Sequence, residues 1–107
     1  MVWNKYGAKT VKTADGQVFD SQNEYRRWCE LKLLQRAGRI SNLKRQVQYE
    51  LIPKQDGERA CTYVADLVYI DSDGNTVVED TKGVRTDAYK IKRKLMLQKH
   101  GIRIKET

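Results

Sequence analysis

The spacing of apolar residues along the chain predicts two helices. In the first, Trp28, Leu31 and Leu34 recur at helical intervals after Ser21, a residue type that caps helix N-termini, and Gly38 marks the end. The second is predicted over about 87–99, from a Thr86 cap to a stop at Gly101. Three apolar residues have core-facing spacing on this second helix: Ala88, Ile91 and Leu95.

Four further segments have the pattern of strands. They are residues 46–53, 62–70, 76–82 and 102–104. The second of these is apolar on both sides, with Val64 and Val68 on one face and Ala65 and Leu67 on the other, so we expect it at the centre of the sheet. A short hairpin around Asp15-Gly16, from 11–13 into 17–19, precedes the first helix.

These elements predict an α/β (α+β) fold, with a mixed sheet of about four strands flanked by two helices. The order is α-β-β-β-α-β, preceded by the small N-terminal hairpin. The chain has 107 residues and no linker, so we expect one domain over 1–107, in which 1–19 form an arm and the hairpin.

Two adjoining strands carry a cluster of charged residues. Asp80 and Lys82 are two positions apart on a strand and therefore project from the same face. A two-residue turn at Asp73-Gly74 would place Asp66 opposite Thr81, whereas a three-residue turn, 72–74, with glycine in the left-handed conformation places it opposite Asp80. We predict the three-residue turn, which gathers two carboxylates and one lysine.

That cluster has a recognised chemical use. Magnesium binds through one or two carboxylates, waters and a substrate phosphate. The sequence therefore predicts Asp66 and Asp80 as ligands and Lys82 as the residue that orients water or neutralises developing charge. Glu24 lies on the buried stripe of the first helix, where it either reaches the metal or its waters, or only completes a capping box with Ser21.

Composition narrows the class of protein. A net charge of +7 favours a polyanionic partner, and nucleic acid is the commonest. No apolar run is long enough for a membrane span, and the first residues lack the pattern of a signal peptide, which favours the cytoplasm.

Cys29 and Cys61 lie far apart without a CxxC pair, so we expect two buried free thiols rather than a zinc site. His100, the one histidine, disfavours an HNH nuclease and is expected to act at its helix end.

From about residue 21 to 104, the element order and the Asp66, Asp80-Thr81-Lys82 motif resemble the PD-(D/E)XK superfamily, the restriction-endonuclease-like fold. Three segments are more closely similar to a family of small bacteriophage proteins placed in that superfamily. They are Lys5-Tyr6-Gly7-Ala8-Lys9, Phe19-Asp20-Ser21 with Glu24, and Val78-Glu79-Asp80-Thr81-Lys82-Gly83. Ala65 stands where the motif has proline, Asp80 where glutamate is more frequent, and the second helix lacks the QxxxY signature of processing exonucleases.

The resemblance implies a Mg²⁺-dependent DNA endonuclease, with Mn²⁺ as a substitute, that serves phage DNA processing or recombination by nicking or resolvase-like cleavage. The expected catalytic residues are Asp66, Asp80, Lys82 and Glu24, and the expected metal ligands are Asp66, Asp80, Glu24 and Thr81. The expected DNA contacts are Lys9, Arg85, Lys90, Lys92, Arg93 and Lys94, although many of these also suit an ordinary solvated helix face.

The small surface favours a homodimer with two sites for two strands, acting in the cytoplasm of a bacterial host. Two rival interpretations remain at this point. One is a non-catalytic nucleic-acid-binding module on the same fold, and the other is a structural or interaction protein of a phage particle, which predicts weak, salt-sensitive DNA binding.

Overall fold

The computed structural model describes residues 10–82 and 85–107. Within them the chain forms the following elements: β1 (Val11–Lys12), β2 (Val18–Phe19), α1 (Gln22–Arg36), β3 (Ser41–Ile52), β4 (Cys61–Ile70), β5 (Thr76–Asp80), α2 (Asp87–His100) and β6 (Lys105–Glu106). No helix in these two ranges is both long and apolar enough to cross a membrane.

The main sheet has the strand order β3-β4-β5-β6. The first three strands form an antiparallel meander, and β6 returns parallel to β5 after the crossover through α2. β1 and β2 pair separately as the N-terminal hairpin, with Val11 opposite Phe19. The predicted α+β fold, its mixed four-stranded sheet and the central position of the 62–70 strand are confirmed.

The two helices cover opposite faces of the sheet. Leu31 of α1 packs against Leu67 and Tyr69 of β4. Met96 of α2 packs in a second cluster with residues that include Val68 and Val78 of β4 and β5. Because neighbouring positions of a strand point to opposite sides, β4 and β5 supply apolar residues to both layers.

Of the three residues predicted to face the core on α2, Leu95 does so and the other two do not. Ala88 and Ile91 are exposed, the latter by 59%, whereas Met96 is fully buried and Tyr89 packs beside it. The sequence offers two overlapping stripes, and the one with the larger side chains is buried. Tyr89 also donates to Glu106 of β6 (2.8 Å), which fixes this rotation of the helix.

Three predicted strand boundaries also differ. β3 begins at Ser41 rather than near 46, and β5 ends at Asp80 rather than 82. The last strand pairs at Lys105–Glu106 instead of 102–104, because Ile102 and Ile104 first pack into the core under α2. The hydrophobic pattern identified the buried residues of this segment but not those that make the ladder.

The alternation of β3 and β4 reverses in the middle of both strands. Val47 and Ala65, which face each other, lie in the cluster under α2. Two positions away on each strand, the paired residues Arg45 of β3 and Leu67 of β4 lie on the α1 side. Arg45 binds a residue of α1, and Leu67 packs under that helix. In a regular strand residues two apart share a face, so the predicted common face for Ala65 and Leu67 is wrong. The reversal falls at Asp66 and at Gln46, whose φ is +53°.

Candidate active site

The turn between β4 and β5 sets the register of the site. Asp71 donates its N–H to the carbonyl of Asn75 (2.9 Å), and Gly74 has a φ of +84°. The turn therefore has three residues with glycine in the left-handed conformation, as predicted. The ladder then pairs Leu67 with Glu79, and its next step places Asp66 opposite Asp80.

Asp66 is fully buried at the point where the two strands part. Its Oδ2 accepts from the backbone N–H of Thr81 (2.9 Å) and from the Thr81 hydroxyl (3.2 Å). Its Oδ1 has no hydrogen-bond partner among the described residues, and Lys82 Nζ lies 3.6 Å from it. Oδ2 is thus fixed by two hydrogen bonds. Oδ1 faces the flexible Lys82 ammonium and keeps lone pairs that can accept from a further ligand.

Asp80 is also buried, and both of its oxygens accept hydrogen bonds. Oδ2 accepts from the Tyr63 hydroxyl (2.8 Å) and Oδ1 from the backbone N–H of Lys82 (3.0 Å). Burial raises the pKa of Asp80, the bond from Tyr63 opposes that rise, and the negative charge of Asp66 adds to it. Asp80 therefore lies in a site with an excess of negative charge.

Ser21 caps α1, but the Glu24 carboxylate does not complete the predicted capping box, because it accepts from the N–H of Asp20 and not from that of Ser21. Ser21 caps α1 by accepting from the Glu24 N–H (3.1 Å), so the predicted cap is confirmed. The Glu24 carboxylate, however, accepts from Arg45 (3.2 Å), Gln46 (3.1 Å) and the N–H of Asp20 (3.3 Å). Burial raises its pKa, and the charge of Asp66 raises it further. Since Gln46 stands opposite Asp66 in the register of β3 and β4, its hydrogen bond holds Glu24 on the strand next to Asp66.

Asp66 stands opposite Asp80 on one side, and on the other it stands opposite Gln46, which donates to Glu24. The charge of Asp66 raises the pKa of both Glu24 and Asp80. Burial would lower the pKa of Lys82, but the charges of Asp66, Asp80 and Asp20 outweigh it, so the pKa is raised and the ammonium stays charged. Asp66, Asp80 and Lys82 are therefore brought together as the sequence predicts.

The predicted ligand set is only partly assembled. The hydroxyl of Thr81 donates to Asp66, and its carbonyl accepts from Asn23 (3.0 Å). Within 10–82 and 85–107, no three His, Cys, Asp or Glu side chains are arranged to hold one metal ion. The free Oδ1 of Asp66 next to Asp80 nevertheless fits a hard cation that takes its remaining ligands from water and phosphate.

Residues 3–106 match the model of a family described as protein of unknown function (DUF1064). The chain belongs to this family. No curated protein and no solved structure matches it. The family description assigns no activity to the DUF1064 domain, so any function must be argued from the residues of the site.

The predicted DNA contacts of this DUF1064 domain occupy different environments. Arg85 and Arg93 both bind Glu106, at 3.1 and 3.0 Å. Lys90 and Lys94 are exposed, and Lys92 is half-buried on the sheet side of α2 because the buried stripe is rotated. Lys9 lies outside the described residues, as does the rest of the predicted arm.

Several residues around the site are not indicated by the sequence pattern. They are Tyr63, Arg45 and Gln46, described above, and the buried pair of Arg27 with Glu79. Arg27 binds the two Glu79 oxygens at 2.8 Å each, on the α1 side of β5. Glu79 next to the Asp80 motif in an otherwise apolar strand was the one available signal, because a buried carboxylate requires a cation.

The structure also shows the surroundings of the two cysteines and of the histidine. Cys29 and Cys61 are free, as expected, but half-buried rather than buried. His100 Nε2 lies 2.8 Å from the carbonyl of Glu50, and its ring packs edge-on against Tyr49. The histidine therefore joins the end of α2 to β3, away from Asp66 and Asp80.

Proposed function

We propose that this DUF1064 protein is a metal-dependent DNA endonuclease of the PD-(D/E)XK type. One observation carries the proposal: the register of β4 and β5 places buried Asp66 opposite buried Asp80, with Lys82 Nζ 3.6 Å from the free oxygen of Asp66. Burying carboxylates is costly unless a cation or hydrogen-bond donors compensate. A site kept for catalysis gives a reason for that cost.

Charge supports a cation at this position. If all groups are ionised, Glu24, Asp66 and Asp80 outnumber the two cations that contact them, Arg45 and Lys82. A divalent ion held by Asp66 and Asp80 would offset the surplus, to which Glu24 contributes one negative charge. When bound, Mg²⁺ or Mn²⁺ supplies Lewis-acid polarisation of a phosphate and favours hydroxide formation from water.

The protein's own residues have separate roles in this proposal. Thr81 holds one oxygen of Asp66, which leaves the other without a hydrogen bond, so that it would be available to a metal ion. Tyr63 and the Lys82 N–H fix the Asp80 carboxylate. The Lys82 ammonium orients the attacking water or neutralises charge on the phosphate as the bond breaks.

The distribution of charge supports DNA as the substrate. Residues 85–107 contain eight basic and two acidic residues, so they hold six of the seven net positive charges. They follow the motif directly and include α2, on which Lys90 and Lys94 are exposed. We assign Lys90 and Lys94, together with Lys92 and Arg93, to phosphate contacts beside the site.

We further propose that the protein acts as a homodimer in the cytoplasm of a bacterial host, where it serves phage DNA processing. The fold measures 43 × 39 × 22 Å, so one copy spans a small part of a duplex. Cleavage of both strands then requires two sites. Sedimentation with and without DNA tests the proposed homodimer independently of activity.

A second candidate is a nucleic-acid-binding module without catalysis. It is favoured by the contacts that already partly neutralise the acids: Arg45 on Glu24 and Lys82 on Asp66. Such a module binds DNA through its basic residues with a steep dependence on salt and gains nothing from a divalent ion.

Calorimetric titration with Mn²⁺ separates the two candidates. The nuclease predicts saturable binding that is lost in Asp66→Asn and retained in Asp73→Asn, a matched change of an exposed turn carboxylate. No binding by the wild type, or equal binding by both variants, would favour the non-catalytic module.

A further inference from the structure

Gln46 has a backbone conformation that its side chain disfavours. Its φ is +53°, in the left-handed region where glycine, asparagine and aspartate are common and longer side chains are rare. It lies inside β3, between Arg45, which pairs with Leu67, and Val47, which pairs with Ala65, so it stands opposite Asp66. Strain of this kind persists where the surrounding structure enforces it, and it concentrates at functional sites.

The kink at Gln46 changes which side chains reach Glu24. In a regular strand, consecutive residues point to opposite faces. Here Arg45 and Gln46 are consecutive, and both donate to the same oxygen, Oε1 of Glu24, at 3.2 and 3.1 Å. Without the reversal, Arg45 would share the face of Val47, on the α2 side, away from Glu24. The strained residue thus makes two donors converge on one carboxylate.

We propose that Gln46 is a positioning residue, whose left-handed backbone and side-chain amide hold the Glu24 carboxylate beside Asp66, where its negative charge strengthens metal binding by Asp66 and Asp80. This inference rests on the proposed nuclease function. It adds β3 to the elements that build the site, and it explains why a strained glutamine stands opposite the central acid. The Gln46 side chain is exposed, so its amide forms the solvent side of the Glu24 environment.

The test uses two substitutions at Gln46 and a matched control. Gln46→Asn suits the left-handed conformation but shortens the side chain by one methylene, so its amide no longer reaches Glu24. Gln46→Gly relieves the backbone and removes the amide. Asn42→Gly is the control, because Asn42 is the other residue of β3 with positive φ, at +55°, and its side chain makes no hydrogen bond to Glu24, Asp66 or Asp80.

We expect both Gln46 variants to melt at or above the wild-type temperature while their Mn²⁺ affinity falls about 10-fold or more, as for other residues that orient metal ligands. Asn42→Gly should leave the affinity unchanged within twofold. In a Glu24→Gln background, Gln46→Asn should have no further effect on affinity, because the two residues act as one unit.

Three outcomes would overturn the proposal. Unchanged affinity in Gln46→Asn and Gln46→Gly, with a wild type that binds Mn²⁺, would refute the role of Gln46 and leave the nuclease proposal standing. A parallel fall of melting temperature and affinity would assign Gln46 a purely structural role. Absence of Mn²⁺ binding by the wild type would refute the nuclease proposal and the role of Gln46 with it.

Discussion

Replacement of Arg27 by methionine tests the energetics of the strand that carries the motif. Arg27 of α1 binds both oxygens of Glu79 at 2.8 Å, and Glu79 is fully buried one residue before Asp80. Methionine keeps most of the side-chain volume but leaves a buried carboxylate with two remaining donors, the hydroxyls of Tyr69 (2.5 Å) and Thr107 (3.3 Å).

The expected loss of stability is large for a domain of this size. Removal of one partner from a buried ion pair costs about 3–5 kcal/mol. Because the Arg27 side chain is 22% exposed, we take the lower end of this range, about 3 kcal/mol. The total free energy of unfolding of a domain is near roughly 5–15 kcal/mol, so this loss is a large fraction of it. At roughly 4 °C or more per kcal/mol, the melting temperature should fall by about 12 °C or more.

The neighbouring residue provides the control. Arg26 contacts Glu30 at 3.9 Å with a side chain that is 73% exposed, so Arg26→Met should cost about 0.5 kcal/mol or less. Urea unfolding followed by circular dichroism measures both variants. Adding Glu79→Gln to Arg27→Met removes the unpaired charge and should restore part of the loss. Equal stability of the two single variants would refute the assigned role of the buried pair.

Three further predictions follow from individual contacts. Burial alone would raise the pKa of Glu79, but bonds from Arg27 and the Tyr69 hydroxyl keep it below 4.5. The ionised carboxylate therefore contributes its full stabilisation above about pH 4.5, and this stabilisation is lost as the pH falls through the pKa of the folded state. The stability difference between wild type and Arg27→Met should shrink in urea titrations below pH 4.5, and a constant difference would contradict this. Gly74→Ala should cost about 1 kcal/mol in urea unfolding from its positive φ alone, since an added Cβ meets nothing within 4 Å. No loss would argue against the left-handed conformation at this position. Tyr63→Phe removes a donor from buried Asp80 and should weaken Mn²⁺ binding in calorimetry about 10-fold, whereas unchanged affinity would show that the bond does not orient the ligand.

The parts of the site that the sequence predicts are those set by local chemistry. Asp73-Gly74 limits the turn to two or three residues, and the three-residue form pairs Asp66 with Asp80. The cap at Ser21 likewise depends on residues within one helical turn. Such features need no knowledge of the tertiary structure, so pattern and turn preferences are enough to predict them.

The parts that the sequence does not predict depend on distant partners or unfavourable conformations. Tyr63 meets Asp80 from 17 positions away, and Arg27 meets Glu79 from 52. Nothing in local preference indicates a left-handed glutamine at position 46, so the reversal of strand alternation at Asp66 could not be foreseen. Local spacing also does not indicate that Tyr89 and Met96 of α2 are covered, because Tyr89 is held by a hydrogen bond to Glu106 of β6 and Met96 by the core cluster.

Nicking of supercoiled plasmid in Mg²⁺ or Mn²⁺ tests the central proposal most directly. The wild type, Asp80→Asn and Lys82→Ala are compared after circular dichroism has shown that all three are folded. We predict cleavage by the wild type that depends on the metal, is abolished by chelator and is lost in both variants. A folded, metal-supplied wild type that cuts neither plasmid nor branched DNA, or variants that cut as fast as the wild type, would contradict the assignment of Asp66, Asp80 and Lys82 as a nuclease site.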